Sequence, residues 1–162
     1  MIAGVTGHQR LGPSTVIKWI SDTFRNTIKN LKIHKGLTSL AIGADQLFAE
    51  ILLEQHLPFI AVIPSLNYED TFKEDIHLSN YKKLLLSSSN IVHLNFNEPT
   101  ESSFLESGKY IVEHSDIIMA VWDGFPSKGL GGTGDIVNYA EGLNKPIIYI
   151  NPKTLQIIMP QE

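Results

Sequence analysis

Short, almost wholly apolar runs alternate along this chain with longer stretches whose apolar residues recur every three or four positions. Phe59-Ile60-Ala61-Val62-Ile63 and Ile117-Ile118-Met119-Ala120-Val121-Trp122 are of the first kind. Val16, Ile17, Ile20 and Phe24 are of the second, as are Leu47, Phe48, Ile51 and Leu52. A run that is apolar at every residue belongs in a strand covered on both faces. A helix-period stretch between two such runs supplies the crossover that parallel strands need. The pattern therefore predicts an α/β chain, a three-layer α/β/α sandwich with a mainly parallel sheet.

Strands are expected over residues 2–5, 39–42, 59–63, 91–94, 117–122 and 146–150, with an edge strand in the tail at 155–159. The fifth of these is expected to be central. Helices are expected from Ser14, just after Pro13, and over 45–55, 81–87, 102–113 and 135–143. Residues 65–79, rich in Asn, Asp, Glu and His, read as a long loop with some helix, and loops of that length are often functional. The sequence has no internal repeat, low-complexity tract or linker, so residues 1–162 are expected to form one domain.

Composition removes several classes of chemistry. Without cysteine there is no thiolate zinc site, no thiol catalysis and no disulfide framework. Glu69, Asp70, Glu74 and Asp75 lack a ligand spacing and read as a solvated acidic face, so neither a metal nor a cofactor is expected. No apolar run approaches the roughly 18 residues of a membrane span. Residues 1–6 lack the basic and apolar regions of a signal peptide, so the expected location is cytoplasmic. A formal net charge of -4 argues against a nucleic-acid partner. Lys29, Lys32 and Lys35 read as a solvated helix end.

In an open parallel sheet, ligands bind outside the carboxyl ends of the strands. The unusual residues of this chain gather at those ends. Thr6, Gly7, His8, Gln9 and Arg10 follow the first strand, and Gly43, Ala44 and Asp45 follow the second. Pro64 follows the third, and Trp122, Asp123 and Gly124 follow the fifth, ahead of Gly129-Leu130-Gly131-Gly132-Thr133-Gly134. Glycines let a backbone approach a ligand closely. A helix that starts after them presents free N–H groups and a positive dipole end, a seat for phosphate. Thr133 adds a hydroxyl donor. The loop is not a Walker loop, since no Gly-Lys-Ser/Thr follows, nor the dinucleotide fingerprint, which follows a first strand.

Arg10 fits either a bidentate phosphate contact or a surface ion pair. His8 suits a hydrogen bond to a phosphate or base. Asp45 suits a cap on the second helix, with a ribose hydroxyl as the other role. Trp122 either packs the core or stacks on a base, and Asp123 either fixes its turn or meets a sugar hydroxyl.

Three stretches carry a family likeness: Val5 to Arg10, Gly43-Ala44-Asp45-Gln46-Leu47-Phe48-Ala49-Glu50, and Ser115 to Gly124 ahead of Gly131-Gly132-Thr133-Gly134-Asp135. Together they resemble the SLOG superfamily, which unites the DprA/Smf proteins with the LOG ("lysine decarboxylase-like") proteins. The resemblance implies a Rossmann-like fold whose glycine-rich loop binds nucleotides or nucleotide-derived ligands such as ADP-ribose or a nucleotide-sugar. It also implies that Gly129 to Gly134 hold phosphate while Thr6, Gly7 and Gly43 shape the pocket. LOG enzymes cleave nucleoside monophosphates with a Glu in Pro-Gly-Gly-x-Gly-Thr-x-x-Glu. Here Ile136 stands at the Glu position and Lys128 at the Pro. The expected function is thus a sensor or carrier of a nucleotide-type small molecule, with an N-glycosidase as the alternative and Asp135, Asp45 and His8 as its catalytic candidates. A homodimer is expected by analogy.

Overall fold

The apolar runs lie side by side in a seven-stranded sheet. The computed structural model describes residues 1–161. In chain order the elements are β1 (Ile2–Gly7), α1 (Ser14–Asn30), β2 (Lys35–Thr38), α2 (Ala44–Glu54), β3 (Phe59–Ile63), α3 (Asp75–Ser87), β4 (Asn90–His93), α4 (Glu101–Glu113), β5 (Ile117–Val121), α5 (Thr133–Gly142), β6 (Ile147–Asn151) and β7 (Gln156–Ile158). A single 3-10 turn at Tyr68–Thr71 precedes α3. The spatial order is β4-β3-β2-β1-β5-β6-β7. All neighbours are parallel except the β6–β7 pair. This is the expected Rossmann-like three-layer sandwich.

Strand β5 shows how the sequence builds the layers. All five of its residues are buried. Ile117, Met119 and Val121 join the core beneath α1, α2 and α3, where Phe24 and Phe48 meet edge to face at 5.4 Å. Ile118 and Ala120 join the core beneath α4 and α5, with Ile111, Val112, Ile136 and Val137. A strand with apolar residues on both faces needs a helix layer on each, which the crossovers provide.

Helix α4 opens with a capping box: Thr100 Oγ1 accepts from Ser103 N–H, and Ser103 Oγ accepts from Thr100 N–H. That fixes the first turn of α4, against which the glycine-rich loop packs.

Two elements depart from expectation. Strand β2 is Lys35–Thr38 rather than residues 39–42. The segment after it is held as a loop by buried polar groups: the Asp45 carboxylate accepts from Ser39 N–H at 3.0 Å, and Thr38 Oγ1 accepts from Leu40 N–H at 3.0 Å. Leu40 takes φ +57°, which no strand allows. Helix α3 begins at Asp75, six residues before the expected 81, because only Tyr81 and Leu84 of its length are buried. Too few apolar positions mark its period. No helix among the described residues is long and apolar enough to cross a membrane.

Candidate ligand cleft at the strand switch point

Successive strands run one way from β1 to β4 and the other way from β1 through β5 to β6. The carboxyl ends of β1 and β5 therefore diverge into crossovers on opposite faces, which leaves a crevice between them. A cleft of about 820 Å³ opens there.

Most of the residues singled out from the sequence meet at this cleft. Thr6, Gly7, His8 and Arg10 line it from β1, and Asp45 and Pro64 from behind β2 and β3. Asp123 and the loop Gly129, Gly131, Gly132, Thr133 and Gly134 close the opposite wall. Gly43, Ala44, Trp122 and Gly124 do not line it. Gly43 and Ala44 stand behind the β1 loop, with Ala44 N–H donating to His8 O at 3.2 Å. Trp122 packs against the core beneath α5 and donates its Nε1–H to Phe125 O at 2.8 Å, so its ring is spent on the turn.

Asp45 does not cap α2. Its carboxylate accepts from Ser39 N–H and Thr38 Oγ1 instead and so pins the β2–α2 loop. Burial pushes its pKa up to about 6, against hydrogen bonds from Ser39, Thr38 and Ala41 that oppose the rise. Folded Asp45 thus keeps its proton to a higher pH than it does in the unfolded chain. Stability linked to Asp45 is full below about pH 4 and is lost as pH rises through about 6, a change of about 3 kcal/mol. Wild type and Asp45→Asn, compared by urea unfolding across that window, should show this slope in the wild type alone. A difference between them that does not vary with pH would refute the assignment.

The other acids are also engaged. Asp135 accepts from Gly131 N–H at 2.9 Å, and its own N–H donates to Ser127 Oγ at 3.0 Å. Asp123 accepts from Phe125 N–H at 3.0 Å and lies 3.2 Å from His8 Nε2. Partial burial raises its pKa, but the Phe125 N–H and the neighbouring His8 outweigh this and leave it lowered. The same His8 Nε2 accepts from Asp123 N–H at 3.0 Å, so the ring is held against both the backbone and the carboxylate of Asp123.

The cations at the mouth are not engaged. Arg10, Lys128 and Lys153 line the cleft, and none has an acidic partner among the described residues. Lys128 and Lys153 did not stand out in the sequence, where an isolated Lys carries no signal. Nor did the apolar wall. Tyr68, Phe72 and Phe104 line the inner end, with Tyr68 edge-on to Phe72 at 5.4 Å. They come from the irregular stretch before α3 and from α4, which only tertiary packing brings together.

No protein-family model matches the chain, and no curated protein matches it in sequence. Solved structures do match. DNA processing protein A from Helicobacter pylori, described by its single-stranded DNA binding mode, aligns with TM-score 0.68 and 18% identity over 92% of this chain and 64% of that one. DNA processing protein A from Streptococcus pneumoniae aligns with TM-score 0.65 and 13% identity over 91% of this chain and 49% of that one. The chain has their fold. It is also the fold of the molybdenum cofactor binding protein from Rippkaea orientalis, with TM-score 0.59 and 19% identity over 93% of this chain and 76% of that one. The Rossmann-like fold that the SLOG resemblance implied is thus the fold found. The chain spans less than two thirds of the length of either DNA processing protein.

One expectation is overturned. The net charge of -4 argued against a nucleic-acid partner, yet the Helicobacter protein of this fold is described by its binding of single-stranded DNA. Net charge sums the whole surface, whereas a strand meets only one part of it. Here three cations gather at one rim of an otherwise acidic molecule.

Proposed function

We propose that the chain binds a nucleotide or nucleotide-derived ligand in this cleft, as a sensor or carrier rather than as an enzyme. The observation that carries the reading is the polarity of the cleft from mouth to floor. At the mouth are three unpaired cations and the start of α5, where the N–H groups of Thr133 and Gly134 have no acceptor within the helix and Ser127 Oγ takes only that of Asp135. At the floor is an aromatic wall with few charges. A phosphate suits the first and a flat heterocycle the second.

The absence of catalysis is supported at three positions. Asp135 and Asp45 hold loops in place with the atoms a reaction would need. Ile136, where a LOG enzyme carries Glu, is 3% exposed and wedges against Gly108 of α4. Its surroundings are apolar, so no neighbouring acid replaces the missing carboxylate.

Isothermal titration with AMP, ADP-ribose and a short oligothymidylate tests the reading. Binding of at least one is expected, and it should weaken as salt rises. Replacing Arg10, Lys128 and Lys153 together with alanine should cost at least about tenfold in affinity, or about 1.4 kcal/mol. Silence with every ligand, or full affinity in the triple variant, would show the reading to be wrong.

A further inference from the structure

One edge of the sheet is both apolar and open. Strand β7 ends the strand order, and β6 is its one neighbour among the described residues. In and beside it, Leu155, Ile157, Ile158 and Met159 are 51%, 44%, 59% and 48% exposed. No charged residue lies between Lys153 and Glu162. Edge strands are normally guarded by charges or by a covering element, because their free backbone groups invite another strand. The opposite edge, β4, is more polar, with Asn90 and His93 exposed.

The hydrogen-bond pattern shows which backbone groups β7 leaves open. Trp122 N–H donates to Ile150 O, and Ile118 N–H donates to Pro146 O. The even-numbered residues of this stretch therefore turn their backbone groups to β5, and Tyr149 and Asn151 turn theirs to β7. Tyr149 and Asn151 oppose Ile158 and Gln156. Bonded residues alternate along an antiparallel pair, so Ile157 points its N–H and C=O away from β6 into the open edge.

What fits such an edge is an extended segment that is itself uncharged, and β7 is one. Antiparallel pairing about a two-fold axis at Ile157 sets that residue against its own copy, with a hydrogen bond in each direction. Gln156 then opposes Ile158 of the second copy, and Leu155 comes beside its Met159. Ile157 lies on the same face as Ile150, which belongs to the core beneath α1, so the two Ile157 side chains cover each other there. No like charges meet, and cross-strand apolar pairs favour the contact.

We propose that β7 pairs with β7 of a second copy of this chain, antiparallel about Ile157, so that two seven-stranded sheets join into one. The axis stands perpendicular to the sheet. The two clefts therefore lie at opposite ends of the joined sheet, and each is built from its own chain. The proposal is independent of what the cleft binds. Strands three residues long make a small contact, and small interfaces hold transient pairs, so the dimer forms only as concentration rises.

Sedimentation velocity from micromolar to millimolar concentration tests this. The wild type should shift from monomer to dimer. Ile157→Pro removes the outward N–H without taking a bond from β6, so it should stay folded by circular dichroism and monomeric throughout. Leu86→Lys, at a site 88% exposed elsewhere, should behave as the wild type. The chain has no cysteine, so single thiols report the register. Bonded antiparallel partners stand about 5.5 Å apart between Cα atoms, within disulfide reach. Mild oxidation should therefore link Ile157→Cys to itself. Gln156→Cys should link to Ile158→Cys when the two are mixed, and not to itself. A wild type monomeric at every concentration would overturn the proposal, and so would a dimer that survives Ile157→Pro. Self-linking of Gln156→Cys as readily as of Ile157→Cys would overturn the pairing about Ile157.

Discussion

Gly43→Ala is expected to lower the free energy of unfolding by about 3 kcal/mol. Gly43 sits at φ +88°, ψ -122°, a conformation that residues with a Cβ rarely reach. A Cβ there would stand 2.4 Å from the carbonyl oxygens of His8 and Gln9. Both are backbone atoms, so no rotamer change relieves the overlap. The chain must instead push the β1 loop away from the start of α2, which would strain the bond from Ala44 N–H to His8 O. Strained backbone and forced overpacking each cost about 1–3 kcal/mol. A domain of this kind is stable by only about 5–15 kcal/mol in all. The loss is read as a lower urea midpoint with an unchanged slope. Gly142→Ala is the control, because a Cβ at that helical position meets nothing within 4 Å. It should leave the midpoint unchanged or raise it slightly. Equal midpoints for Gly43→Ala and wild type would show that the two loops are not locked together as described.

The same contact marks the limit of what the sequence reveals. Residues 59–63 were expected as a strand from their unbroken apolar run, and β3 occupies that span. The start of α1 after Pro13 was likewise readable, because proline and the 3.6-residue period point to one boundary. Strand β2 was not readable. Its Gly36 carries no side chain to show a strand pattern, since Phe48 and Leu52 of α2 fill the space a Cβ would take. The run Ser39 to Ile42 looks more like a strand until Asp45 is seen taking the Ser39 N–H. A buried carboxylate that organises a loop from six residues away leaves no periodic signal. The cleft follows the same division. Its rim was legible because chemistry-bearing residues follow each strand. Its aromatic floor was not, because Tyr68 and Phe104 belong to elements whose approach is set by packing across the sheet edge. Asp135 was visible as a residue but not in its bond to Gly131, which exists only once the loop has folded back.

Gly131→Ala is expected to strike ligand binding harder than stability. Gly131 takes φ +84°, and a Cβ on it would lie 2.7 Å from Leu105 N and 2.9 Å from Glu101 O. Those atoms belong to the first turn of α4, which the Thr100–Ser103 capping box holds in place. The helix cannot yield, so the loop must. As it lifts, the Gly131 N–H leaves the Asp135 carboxylate, and the N–H groups at the start of α5 lose their fixed aim. Strain at one half-buried loop position costs about 1–3 kcal/mol, and part of that is relieved by the loop's own movement. Phosphate seats lose more, because their strength comes from several backbone donors aimed at one point before the ligand arrives. A fall in affinity of at least about tenfold is therefore expected, with a stability loss of about 1–2 kcal/mol. The pair of measurements separates a built seat from a merely glycine-rich connection. A flexible connection would tolerate the alanine on both counts. A loop held only for structural reasons would lose stability while the ligand, seated elsewhere in the cleft, bound as before.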